Sequence, residues 1–355
     1  MIRPWRGILA PLWWAITALR REVFGFRFDY PIHPISAAGP RTSLHYYIHS
    51  DRLFFDAMEL DADGIPVHRS RTLRTCNPAY VAWYGLMSLE RSLRGGDPAG
   101  REVFLRQVEW LEAHALERQD QAIIWPLMFD WQEGACSLKA PWISAMVQGL
   151  VISSLVRAHR ITGEQRLLDL CARATRVFDT DVEDGGVRTA EGEGVMYEEY
   201  PGFPLPRVLD GFLFGLLGLY DLWAETDDAH VFQLFATGMA GLRRALPFWD
   251  YKRKWSWYGS HGYLCPPQYN KLNSALLTTL ARLSGDATLH DYAAAWAPAH
   301  RSGLSRAEVF VVFQYTKNRS RLRHYLRGRG ISKPEVQQEC NIHRHSLGAE
   351  PQRRV

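Results

Sequence analysis

The sequence predicts a mainly α fold: an incomplete (α/α) barrel or toroid of four helical hairpins, with a small β-rich N-terminal part. Three observations predict it. A long helix, a short polar turn and a second helix recur four times, at a spacing of roughly 60 residues. The first helix of each pair is apolar, as an inner ring requires. Upstream of the first pair, residues 44–75 alternate β-prone runs with turn residues, as in Tyr46-Tyr47-Ile48, Leu53-Phe54-Phe55 and the turn Asp61-Ala62-Asp63-Gly64.

Taken in order, residues 1–43 form an N-terminal arm. Ile8 to Leu19 is an apolar run of about 12 residues, shorter than the ~20 that a spanning helix needs. No small-residue cleavage site follows it. Trp5, Ile8, Leu9, Leu12, Trp13, Ile16 and Leu19 fall at helical spacing between Arg3, Arg6, Arg20 and Arg21. Residues 1–21 therefore suit a helix lying on a membrane surface or one docked on the protein's own core. Residues 44–75 are the β-rich segment, and residues 76–303 carry the toroid. Its hairpin turns are Gly95-Gly96-Asp97, Thr162-Gly163-Glu164, Thr226-Asp227-Asp228 and Ser284-Gly285-Asp286. Glycine stops a first helix, and Asp or Glu starts the second. The first helices include Tyr80 to Leu93, Trp142 to Arg160, Arg207 to Ala224 and Asn270 to Leu283. Their partners run through Phe104 to Leu116, Leu167 to Phe178, His230 to Leu246 and Thr288 to Ala299. Residues 304–355 lack a comparable pair and are expected to form a peripheral basic tail, with Arg306, Lys317, Arg319, Arg321, Arg323, Arg327 and Arg329.

The bulk composition excludes several classes. An apolar fraction of 46% and a charged fraction of 23% describe a globular protein rather than a disordered one. The net charge of +4 gives no strong overall field. The basic tail has no stacking platform and the helical body is not distinctly basic, so nucleic acid is not an expected partner. No phosphate-binding glycine loop or dinucleotide fingerprint is present, and no cofactor is required. The five cysteines are scattered without a CxxC pair, which argues against a zinc site or a disulfide framework and for a reducing, cytoplasmic setting, peripheral to a membrane if residues 1–21 lie on one. Structural calcium near Asp61 and Asp63 would have too few ligands to be supported, and no metal site is expected.

Chemistry-bearing residues concentrate between the hairpins, where a rigid scaffold presents loops. Tyr197-Glu198-Glu199-Tyr200-Pro201 places two carboxylates between two phenols. Adjacent residues on extended backbone point to opposite sides, so Glu198 and Glu199 are expected to differ in role. A second loop holds Tyr258, His261, Tyr269 and Lys271 in an aromatic, glycine- and proline-rich setting. A third runs from Trp125 through Lys139 to Gln148, a tryptophan-rich rim with a cation for an anionic sugar.

Several of these segments resemble the C-terminal domain of the D-glucuronyl C5-epimerases. They are Tyr197-Glu198-Glu199-Tyr200-Pro201, Val208-Leu209-Asp210-Gly211-Phe212, Gly218-Leu219-Tyr220-Asp221-Leu222 and Ser144-Ala145-Met146-Val147-Gln148-Gly149. Tyr258 and Tyr269-Asn270-Lys271-Leu272-Asn273 are similar to later tyrosine motifs of that family, in the same order. The resemblance runs from about Asp63 to Trp296 and implies a β-rich part packed on a helical toroid, commonly as a homodimer. It implies an isomerase acting on an anionic, uronate-containing polysaccharide, with Glu199, Tyr200, Tyr258 and Tyr269 as catalytic residues. Tyr197, His261, Lys271, Lys139, Trp125 and Gln148 are the accompanying candidates for substrate binding. His261 stands where the family often has Arg, and Asn270 where it has His. A lyase that begins with the same proton abstraction, and a binding protein without activity, remain the alternatives.

Overall fold

The computed structural model describes residues 29–34, 43–50, 58–69, 74–297 and 302–327. The N-terminal apolar run, Leu53-Phe54-Phe55 and Cys340 lie outside the described residues. The β-rich part is a small antiparallel sheet of β1 (Glu59–Leu60), β2 (Pro66–Arg69) and β3 (Arg74–Cys76) in that order. Asp61 Oδ1 accepts the backbone amides of Asp63 and Ile65, which closes the β1–β2 turn.

The four hairpins follow. They are α1 (Pro78–Leu93) with α2 (Gly100–Ala113), and α3 (Ala145–Thr162) with α4 (Gln165–Ala174) and the short α5 (Arg176–Asp179). The third pairs α6 (Leu209–Thr226) with α7 (Ala229–Trp249), and the fourth α8 (Pro267–Ser284) with α9 (Ala287–Trp296). The turn chemistry is as the sequence predicts. Gly163 and Gly285 end α3 and α8 in the left-handed region, at φ 75° and 71°. Asp228 and Asp286 cap α7 and α9 by accepting two backbone amides each. Asp227 does the work of glycine after α6, at φ 54°. Two predicted starts shift inward. Trp142 exchanges backbone hydrogen bonds with Leu127, so α3 begins only at Ala145. Arg207 takes a positive φ of 50°, so α6 begins at Leu209.

The first helices pack in a row: α1 on α3, α3 on α6, and α6 on α8. α3 and α6 are buried on nearly every side, the expected state of inner helices. Among the described residues, α8 and α1 do not pack on each other as the neighbouring pairs do. The row is therefore an arc, with its two ends facing across a cavity.

The tail departs from expectation. Residues Gly303–Arg327 form a long helix, α10, whose Val309 and Phe313 are buried against Tyr251, Trp255, Leu264 and Cys265. Its basic side chains obscured this apolar pair in the sequence. Cys76, Cys136, Cys171 and Cys265 are buried, with no disulfide among them. Among the described residues no helix is long and apolar enough to cross a membrane.

Candidate active site

A cavity of about 240 Å³ opens at the N-terminal ends of the inner helices. Each contributes its first turns: Asn77 and Tyr80 from α1, Met146 and Val147 from α3, Asp210 from α6, and Gln268 and Tyr269 from α8. The loops entering these helices complete the wall with Phe129, Trp131, Glu133, Trp142, Glu199, Tyr200 and Tyr258. The cavity thus gathers four positive helix-dipole ends, although no Lys or Arg lines it among the described residues.

Glu199 is the focus of the site. It is 4% exposed, and Oε2 has no hydrogen-bond partner among the described residues. A β-carbon on Gly211 would lie 2.3 Å from its Cβ and 2.4 Å from its Oε2, so only glycine at the start of α6 leaves room for it. Burial pushes the Glu199 carboxyl well above the usual range, and the nearby Asp210 adds to the effect; the Tyr200 hydroxyl, directed at Glu199, works against both. Asp210 is raised to about 7, chiefly by burial. Burial also raises the phenols of Tyr200, Tyr258 and Tyr269 well above their usual value, aided by Glu199, Tyr200 and Asp210 respectively. Glu199 and the three phenols are therefore held in their neutral, proton-bearing forms at neutral pH, while Asp210 titrates close to it.

Aromatic contacts fix the phenols. Tyr200 stacks at 6.5 Å on Trp131 and lies 5.7 Å from Trp142, while Tyr258 meets Tyr269 edge-on at 5.8 Å. Glu198 points away from Glu199, as the extended backbone requires. It accepts the amide of Arg207 at 3.2 Å and the hydroxyl of Thr189 at 3.4 Å, and burial raises it to about 7.

The structure brings Glu199, Tyr200, Tyr258 and Tyr269 together, but several other candidates need correction. Tyr197 is fully buried and donates its hydroxyl to the Leu234 carbonyl at 2.7 Å, so it supports the core and not a ligand. Trp125 is equally buried, its indole donating to Leu111 O at 2.7 Å. Gln148 holds the Trp125 amide at 3.1 Å and donates to Ile123 O at 2.9 Å, which occupies its side chain within the fold. Lys139 is 79% exposed and paired with Asp130 at 2.5 Å, outside the cavity wall. Lys271 also lies off the wall, beside Asp29 and Arg306. His261 sits behind it, with Nε2 at 2.8 Å from Glu133 Oε1. Gly134, at φ 59°, permits this contact, because a β-carbon there would lie 2.5 Å from the His261 ring. Asn270 is buried and ties α8 to the strand Trp255–Ser256, accepting from Ser256 N at 2.7 Å.

Sequence reasoning missed Tyr30, His68, Tyr80, Glu133 and Asp210 as wall residues. Tyr30 comes from the arm, held by His33 N donating to Tyr47 O at 2.9 Å and His49 N to Pro31 O at 3.1 Å. Only Asp210 carried a readable signal, an acid in the first turn of a largely apolar helix.

The family described as the D-glucuronyl C5-epimerase C-terminus matches residues 119–298. That span holds Glu133, Glu199, Tyr200, Asp210, Tyr258 and Tyr269. A D-glucuronyl C5-epimerase of Caenorhabditis elegans is 30% identical over 212 residues, covering 55% of this chain and 34% of the relative. An uncharacterised protein of Methanocaldococcus jannaschii is 26% identical over 199 residues, covering 55% of this chain and 64% of the relative. The matched region thus spans less than two thirds of either relative. Among solved structures, a cellobiose 2-epimerase from Bacillus thermoamylovorans aligns with a TM-score of 0.43 at 11% identity, over 68% of this chain and 66% of that one. A GH76 α-mannanase of Bacteroides thetaiotaomicron aligns with a TM-score of 0.43 at 11% identity, over 68% and 64%.

Proposed function

This chain belongs to the family of the D-glucuronyl C5-epimerase C-terminus, and from that premise we propose that it is a carbohydrate epimerase inverting C5 of uronic-acid residues in a polysaccharide. The observation that carries the reading is a buried Glu199 carboxyl sharing one cavity with the phenols of Tyr200, Tyr258 and Tyr269.

The reaction removes a proton α to a carboxylate and returns one to the opposite face. It needs two proton carriers and donors that stabilise the enediolate-like state. Glu199 and Tyr269 are the proposed pair. Once Glu199 has lost its proton, its buried carboxylate is a stronger base than a solvated one, because burial disfavours its charge. The Tyr269 phenol supplies the second proton from the other side. Tyr200 and Tyr258 are the donors available to the substrate carboxylate and to the charge that develops on it. The four converging helix N-termini help to neutralise that group. Trp131, Phe129 and Trp142 offer apolar faces on which a sugar ring stacks.

Incubation of uronate polymers with the protein in deuterated water, followed by proton NMR, tests the reading. The expected result is loss of the C5 proton signal without chain shortening. Glu199→Gln and Tyr269→Phe are each expected to slow this exchange by roughly 10²-fold or more. Near-normal exchange in either variant removes that residue from the pair. Ultraviolet-absorbing unsaturated ends would make the reaction an elimination, and binding without exchange would leave no reaction at all.

A further inference from the structure

Away from the cavity, three metal-ligating side chains from separate stretches of chain meet at the end of α1. Glu90 is 1% exposed, and its Oε2 lies 2.7 Å from Nε2 of His33 and 3.0 Å from Nδ1 of His45. The three ligand atoms all lie within 4.8 Å of one another. The two imidazoles are 4.6 Å apart, and a third, His49, lies 5.0 Å from His33. The proposed reaction uses none of them.

We propose that His33, His45 and Glu90 form a binding site for a divalent transition metal of zinc's class, which clasps the N-terminal arm to α1. Two imidazoles and one carboxylate are a borderline-soft donor set suited to zinc. Calcium and magnesium favour six or more oxygens and would find one carboxylate here. Ligands of a tetrahedral zinc stand roughly 3.3–3.5 Å apart, so the present 2.7 and 3.0 Å contacts would open by about 0.3–0.8 Å on binding.

The surroundings orient the donors. Glu90 Oε1 accepts the Tyr46 amide, leaving Oε2 for the metal. The His45 carbonyl accepts from Arg157 Nη2 at 3.2 Å. That guanidinium is paired with Asp221 at 2.7 Å, so its charge does not oppose an incoming cation. His45 is 40% exposed on its side chain, which provides an entry path and an open position for water. The consequence reaches the cavity. Tyr30, three residues before His33, lines the cavity wall, so a metal at this site fixes the strap that completes it.

The test uses the full, tag-free chain stripped with a chelator and titrated with Zn(II) in competition with a chromophoric chelator. One equivalent is expected to bind at micromolar affinity or tighter. His45→Ala and Glu90→Gln are each expected to weaken it at least tenfold; the glutamine keeps an acceptor for the Tyr46 amide and so separates ligand loss from misfolding. Zinc is also expected to slow hydrogen exchange of the amides in residues 29–34 of the wild type and not of the variants. No zinc binding by the wild type, or equal affinity in the wild type and both variants, would overturn the site. Binding that leaves those amides unchanged would overturn the clasp.

Discussion

Glu198 and Glu199 are neighbours in the chain, yet extended backbone sends one into a hydrogen-bonded loop and the other into the cavity. The environment of Glu199 then sets its chemistry. Burial and Asp210 both disfavour its ionised form, so if Glu199 is the base, activity should rise with pH through a limb far above the ordinary carboxylate range. Asp210→Asn removes one of those causes. It should move this acidic limb to lower pH, as measured by the pH profile of C5 exchange. The same change has a signed effect on stability. A carboxyl whose pKa is raised on folding binds more protons in the native than in the unfolded state. Asp210 is raised from 3.8 to about 7, so its contribution to stability falls as pH rises between those values. Asp210→Asn should therefore be more stable than the wild type at pH ~8, by about 1–2 kcal/mol in urea denaturation, and show little gain at pH ~4. The motif pair Glu199-Tyr200 was legible in the sequence because it stands out from its loop. Tyr30 and Tyr80 were not, because an isolated tyrosine in an apolar context reads the same whether it packs or faces a cavity.

The inner helices α3 and α6 owe their close approach to glycine. A β-carbon on Gly218 would lie 2.4 Å from the Gly149 carbonyl oxygen, and one on Gly149 would lie 2.2 Å from that of Phe214. Both contacts are with backbone, which cannot rotate away. Glycine to alanine inside a helix normally gains about 1 kcal/mol from propensity. Gly218→Ala should reverse that sign and destabilise by roughly 1–3 kcal/mol, seen as a lower urea midpoint with an unchanged slope. The helices themselves were readable from their periodicity and polar turns, because those signals are local. Their starts shifted where tertiary pairing intervened, as at Trp142 with Leu127. α10 was misread because its basic surface outweighs the two apolar residues, Val309 and Phe313, that dock it.

Across the whole molecule, a buried ion pair joins parts distant in sequence. Arg157 on α3 and Asp221 on α6 are 2.7 Å apart and almost wholly buried, and the Tyr47 hydroxyl donates to Asp221 at 2.6 Å. Asp221→Ala leaves the Arg157 charge buried without its partner and loosens Tyr47 from the core. It should cost about 3–5 kcal/mol, measured by chemical denaturation, and increase hydrogen exchange around residues 46–48. Taken alone, the sequence determined the helical hairpins, their turns, the family and the Glu199-Tyr200, Tyr258 and Tyr269 motifs, since periodicity, capping and short motifs are written locally in the chain. Only the tertiary structure decided that Tyr197, Trp125 and Gln148 are core, that Glu133 and Asp210 stand beside Glu199, and that the arm completes the wall. Burial and proximity arise from packing segments tens to hundreds of residues apart, and no local pattern encodes which neighbours those segments acquire.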